Sequence, residues 1–210
     1  MNRIDVHAHL LPAFLREALV QGGRAPSSGY FPEWSPEIAL ALMERHGIAT
    51  QILSASSPGV HFGNDSAARA LARRTNELIA RTVADHPRRF GGFATLPLPD
   101  IDGTLAELDY AFDTLRMDGA CLFASYANGF LGDAVFDPAL AELDRRAAVV
   151  FVHPSAYGAS PHAKLPWPAF MMEFLFDTTR AAVNLVFAGA FNAFRTSASS
   201  LRTRAVCCRI

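Results

Sequence analysis

Lysine, cysteine and net charge are all scarce in this chain. Lys164 is the single lysine of 210 residues, and 19 basic residues face 20 acidic ones for a formal charge of −1. So even a balance creates no field that would gather nucleic acid or an anionic membrane surface, and neither is an expected partner. Three cysteines, Cys121, Cys207 and Cys208, are too few for a disulfide scaffold and agree with a reducing compartment. No stretch approaches the roughly eighteen consecutive apolar residues of a membrane span. The start of the chain lacks the charged region, apolar run and cleavage site of a secretory signal, so the cytoplasm is the expected location. What remains is 50% hydrophobic and 19% charged, ample for one globular core.

Short apolar runs alternate with helix-length amphipathic segments. Strands are expected at residues 3–6, 50–54, 90–96, 119–124 and 149–153. Ser35-Pro36-Glu37 reads as a helix start, with a capping hydroxyl, a proline in the first turn and an early acid, and Gly47 lies beyond the end. A second helix over 65–85 sets Ala67, Leu71, Leu78 and Ile79 on one stripe, with Arg73, Arg74 and Arg81 elsewhere. Asp137-Pro138 predicts a third by the same cap-then-proline logic. Apolar strands separated by helices argue for a parallel sheet covered by helices.

The chemistry is concentrated in histidine. In Ile4-Asp5-Val6-His7-Ala8-His9 the two-residue period of a strand points His7 and His9 to one side, and His153 ends the run Val150-Phe151-Val152. A pair of packed or solvated histidines has the same local pattern, but a third histidine at the end of a second buried strand favours metal ligation. Neutral imidazoles suit zinc or another first-row divalent ion, and three protein ligands leave a position for water or substrate. His61 follows the second strand, where it would face the rim as a substrate contact or sit idle in its loop. His162, in the Pro/Ala/Gly-rich stretch 154–168, reads as a surface histidine. His46 and His86 lie near helix ends, Cys121 reads as a small buried hydrophobe, and Met171 and Met172 with Phe170, Phe174 and Phe176 read as helix-to-barrel packing.

Four segments in order, DVHAHLLP at 5–12, GGFATLPLPD at 91–100, FDPALAELDRRAAVVFVHP at 136–154 and FDTTRAAVNLVF at 176–187, resemble the amidohydrolase-related family. Within it they are most similar to the branch of aminocarboxymuconate-semialdehyde, 6-methylsalicylate and 2,6-dihydroxybenzoate decarboxylases. The resemblance covers residues 1–194. It implies an α/β fold, a (β/α)8 TIM barrel of the metal-dependent hydrolase type, with catalytic residues at the C-terminal strand ends and about five to six of the eight units present. It implies one divalent metal on His7, His9 and His153, Zn²⁺ before Mn²⁺, because the 119–124 strand has no lysine to bridge a second ion. The aspartate and the acid/base histidine that the family carries on later strands have no counterpart in this chain, so no catalytic residue is assigned. The implied reaction is nonoxidative decarboxylation of a small aromatic or unsaturated carboxylic acid, in a full-length form for which the resemblance allows a homodimer. A hydrolase of an ester, lactone or amide would use the same ion to activate water. A nonfunctional fragment or pseudoenzyme is the third alternative.

Residues 195–210 do not fit. They hold four arginines, no acid and two of the three cysteines. A basic disordered arm is one reading. The genetic code offers another. Codons for Phe194 to Ile210 exist that, with one cytosine restored after the Phe194 codon, read Phe-Pro-Asp-Ile-Arg-Phe-Ile-Leu-Ala-His-Ala-Gly-Gly-Leu-Leu-Pro-Tyr. That resembles the family's next strand and its His-Ala-Gly-Gly turn. The expected division is therefore a partial barrel domain over 1–194 and a frameshifted tail over 195–210, in which Cys207 and Cys208 need no metal or redox role.

Overall fold

Each of the five apolar runs becomes a strand, and the five strands pair in parallel in the order in which they follow one another along the chain. The computed structural model describes residues 3–24, 30–127, 129–155, 168 and 170–193, without the side chains of 191 and 192. The expectations for His162 and for the tail lie outside these residues. In chain order the elements are β1 (Ile4–Leu10), α1 (Ala13–Gln21), α2 (Pro36–His46), β2 (Thr50–Ala55), α3 (Asp65–Asp85), β3 (Phe90–Thr95), α4 (Ile101–Asp109) and β4 (Gly119–Phe123). A small antiparallel hairpin, β5 (Ser125–Tyr126) and β6 (Gly129–Phe130), precedes α5 (Asp137–Arg145), β7 (Val150–His153), α6 (Phe170–Phe187) and α7 (Ala190–Ala193). The sheet curls into a partial barrel with helices outside. No described helix is long and apolar enough to cross a membrane.

Capping residues set the helix ends much as their chemistry suggests. The Ser35 hydroxyl accepts from the Ile38 amide, and Gly47 closes α2 in the left-handed region at φ 64°. The Asp137 expectation is corrected: Asp137 is the first residue inside α5, and Phe136, the end of a short 3-10 turn, occupies the cap with no side-chain bond. The acid still sits in the first turn, where the helix dipole favours it. β1 also runs farther than expected, through Leu10, so both of its histidines are strand residues.

The buried face of α3 follows the apolar pattern only in part: Ile79 is buried, and Leu71 and Leu78 pack half-buried against the core. Ala68, Ala72, Thr75, Asn76, Ile79 and Thr82 face inward, whereas Ala67 is exposed. Polar residues are tolerated there because they are bonded: Asn76 both donates to the Thr95 carbonyl and accepts from the Thr95 amide, and also donates to Glu107. β3 passes beneath this helix at Gly92, where a Cβ would run into Ile79 Cγ2. Met171, Met172 and Phe176 are likewise corrected, being 50%, 38% and 48% exposed. The buried face of α6 is Glu173, Asp177, Ala181 and Leu185.

Candidate metal centre

β1 and β7 lie at opposite ends of the sheet order, yet the ring centroids of His7 and His153 are 4.9 Å apart and those of His9 and His153 4.8 Å apart. The curl of five strands brings the ends together across the barrel interior. Within β1 the register against β2 slips by one residue between Asp5 and Ala8, a bulge that re-aims the side chains. The His7 amide donates to Asp5 Oδ1 at 3.1 Å and holds that irregular turn of strand, while Gln51 Nε2 donates to the other Asp5 oxygen.

All three histidines converge through the same ring nitrogen. His9 Nε2 is 2.9 Å from His7 Nε2 and 3.1 Å from His153 Nε2. Nitrogens bound to one ion at about 2.1 Å and at octahedral to tetrahedral angles stand about 3.0–3.4 Å apart, close to both of these separations, and the three ligand atoms lie within 4.8 Å of one another, so the set could hold one cation. Its protonation fits as well. Burial pushes His9 down to about 4, reinforced by His7 beside it, and burial holds His153 well below the usual imidazole range. Burial also lowers His7, with the Asp5 charge partly opposing it. Wherever neutral imidazoles turn their Nε2 lone pairs toward one another they repel, and a cation between them relieves that repulsion.

The other ring nitrogens of His153 and His9 are engaged. A carbonyl cannot donate, so the 2.5 Å contact between His153 Nδ1 and the Pro154 oxygen makes Nδ1 the protonated nitrogen and leaves Nε2 free to ligate. His9 Nδ1 lies 3.3 Å from the Ser54 hydroxyl. Such outer partners fix the ring tautomer of a metal ligand.

The histidines open into a cavity of about 860 Å³ that Arg24, Tyr30, Phe31, Trp34 and Phe174 also line. Phe174 lies edge-on to His153. His61 does not line that cavity: its Nε2 is 2.8 Å from Asp65 at the start of α3. The structure thus unites His7, His9 and His153 and places His61 apart. Arg24 and the aromatic wall escaped the sequence reading, since a lone arginine in a Gly-rich stretch and scattered rings carry no periodic signal.

A curled parallel β/α sheet with two histidines on its first strand and a third ending its fifth main strand defines a partial barrel of the histidine metal-centre class. The chain belongs to the amidohydrolase family, whose sequence profile matches residues 4–197. It is 39% identical over 193 residues to the 6-methylsalicylic acid decarboxylase of Penicillium expansum, covering 90% of this chain and 60% of that protein. A solved amidohydrolase II superposes with a TM-score of 0.88 at 28% identity, covering 93% of this chain and 64% of that one. The Polaromonas dihydroxybenzoic acid decarboxylase, solved with manganese and the inhibitor 2-nitroresorcinol, gives a TM-score of 0.72 at 25% identity over the same shares. This chain therefore spans roughly three-fifths of the length of the proteins it matches.

Proposed function

We propose that this chain is the metal-holding part of a nonoxidative decarboxylase of a small aromatic carboxylic acid, with one divalent ion, Zn²⁺ before Mn²⁺, on His7, His9 and His153. The observation that carries this reading is that one cavity holds three convergent imidazole nitrogens, a guanidinium and several aromatic rings. A benzoate-like substrate needs such a set. Arg24 offers a planar, permanently charged fork for a carboxylate or phenolate, while Phe31, Trp34 and Phe174 offer flat apolar faces for a ring. The bound ion supplies Lewis-acid polarisation of substrate oxygens.

The residues of this chain then bind and orient. Arg24 and the aromatic wall fix the ring so that the bond between ring carbon and carboxyl carbon can break, releasing CO₂ while a proton takes its place on the ring. Apolar walls also weaken the hydration of the carboxylate relative to neutral CO₂. The proton donor is assigned to the histidine of the segment hidden in the shifted frame after Phe194 and the last ligand to an aspartate on a later strand of that frame, which makes 195–210 a frameshifted tail and this copy nearly inactive. The same reading puts the repaired protein in the cytoplasm, with a homodimer open to the full-length form.

The test is to restore one cytosine after the Phe194 codon, express both forms and follow CO₂ release from a panel of hydroxybenzoates with Zn²⁺ or Mn²⁺. Metal binding by both forms and turnover by the repaired one are expected. Equal activity in the two forms would overturn the inactive tail, and metal binding without decarboxylation in the repaired form would overturn the reaction. Ester or lactone hydrolysis there would instead favour the hydrolase.

A further inference from the structure

α6 contributes an acid to the interior that ligates nothing, lines no part of the cavity and is almost fully buried. Asp177 is 3% exposed. Its Oδ1 accepts from the Ser125 hydroxyl at 2.6 Å and its Oδ2 from the Ser155 amide at 2.7 Å. A carboxylate is expensive to bury, so one that is kept inside needs partners, and these two tie it to β5 and to the residue two places after the third histidine. Its position relative to the metal centre gives a reason for it.

The Ser155 amide and the Pro154 carbonyl belong to one peptide group. That group is planar and rigid, with N–H and C=O pointing in opposite directions. Asp177 holds one side of the plane, and on the other side the Pro154 oxygen accepts from His153 Nδ1 at 2.5 Å. The chain of contacts therefore runs from the Asp177 carboxylate through a single peptide plane to the His153 ring, whose Nε2 faces His9. In many metal sites a carboxylate contacts the ligating histidine directly and fixes its tautomer and basicity. Here a peptide is interposed. A charge at the amide end polarises the carbonyl into a better acceptor, and bonds in such chains reinforce one another.

We propose that Asp177 is a positioning residue for the metal centre, acting on His153 through the Pro154–Ser155 peptide, which it orients and polarises so that Nδ1 stays protonated and Nε2 stays free for the ion. The proposal rests on the metal reading of His153. It assigns the third ligand's orientation to the helix that follows its strand.

The experiment uses the chain as it is. Asp177→Asn keeps the shape and one acceptor oxygen, so the fold is retained, but removes the charge and sets an NH₂ group where one acceptor was. Zn²⁺ and Mn²⁺ affinity by calorimetry is expected to fall about 10- to 100-fold, the range for losing an outer partner of a ligand. In the metal-free protein, the nitrogen-15 chemical shifts of the His153 ring are expected to move from the Nδ1-protonated tautomer toward a mixture. Glu173→Gln removes a buried acid one turn earlier on the same helix, and is expected to change neither readout. An Asp177→Asn protein with the parent's affinity and the parent's tautomer would overturn the proposal. So would an equal loss in Glu173→Gln, which would make the effect one of the helix as a whole. A parent chain that binds neither metal would sink the metal reading itself, and the tautomer comparison, made without metal, would still decide whether Asp177 controls His153.

Discussion

The inner strands of the sheet and its two edge strands do different work. β3 and β4 are buried at every residue and carry no histidine or acid, and their glycines allow close packing: Gly92 lies under Ile79, and Gly119 lies beside Phe93 and the Val149 carbonyl. β1 and β7 carry Asp5, His7, His9 and His153, and Ile4 at the start of β1 is 60% exposed. Packing is concentrated in the middle of the sheet and chemistry at its ends. The centre therefore depends on a curvature that residues remote from it maintain, and an ion bound there would tie together two ends that no backbone hydrogen bond joins in this order of strands.

The strongest blow to the packed middle is Ile79→Ala. Ile79 is fully buried against β3, so the change should cost about 2–5 kcal/mol in urea unfolding. A cost below about 1 kcal/mol would mean that the middle is not the mechanical core.

His9→Ala should leave the sheet intact and strike the ends instead. Zinc binding of about 10–16 kcal/mol shared among four ligands is about 2.5–4 kcal/mol each, so affinity measured by calorimetry should fall roughly 70- to 900-fold. A small change would show that His7 and His153 hold the ion without it.

Metal should in turn stabilise the curl. At a free concentration one hundred times the dissociation constant the gain is about 2.7 kcal/mol, and for a chain of this size that raises Tm by about 5–10 °C. His9→Ala should remove most of that increment, and its survival would point to ion binding elsewhere.

Acid should weaken the metal-free protein through the same three rings. Burial keeps them neutral, His9 down to about 4, whereas in the unfolded chain they take up protons below about 6.5. Between those values the unfolded state binds more protons, so stability is expected to fall as pH drops from about 6.5 toward 4, with no slope from the triad above that window. Urea melts at several pH values check it, and an equally steep slope in His9→Ala would assign the effect to other groups.

The smallest effect is expected on the outer face of α6, where Phe187 is 86% exposed. Phe187→Ala should change stability by less than about 0.5 kcal/mol, and a larger loss would show that this face is covered in solution.

Much of this organisation can be read without coordinates. The five strands begin within a residue or so of where apolar runs predict them, and the Ser35 cap and the Gly47 stop were legible because both act over a few residues. The polar part of α3's buried face was not legible, since Thr75 and Asn76 are inward only by virtue of bonds, Asn76's to Thr95 and Glu107. Asp177 and Arg24 were missed for a related reason: neither stands in a pattern, and each gains meaning from groups far along the chain.

The sequence by itself determined that His7 and His9 share a face and that His153 ends an apolar strand, because the two-residue period is a property of the local backbone. It left open whether the three would meet. That was decided by the curl of five strands and the bulge in β1, which together bring rings 144 residues apart to within 3.1 Å at their Nε2 atoms. Strand twist accumulates across a sheet and is set by packing on both faces, so its sum is a tertiary quantity that no short segment encodes.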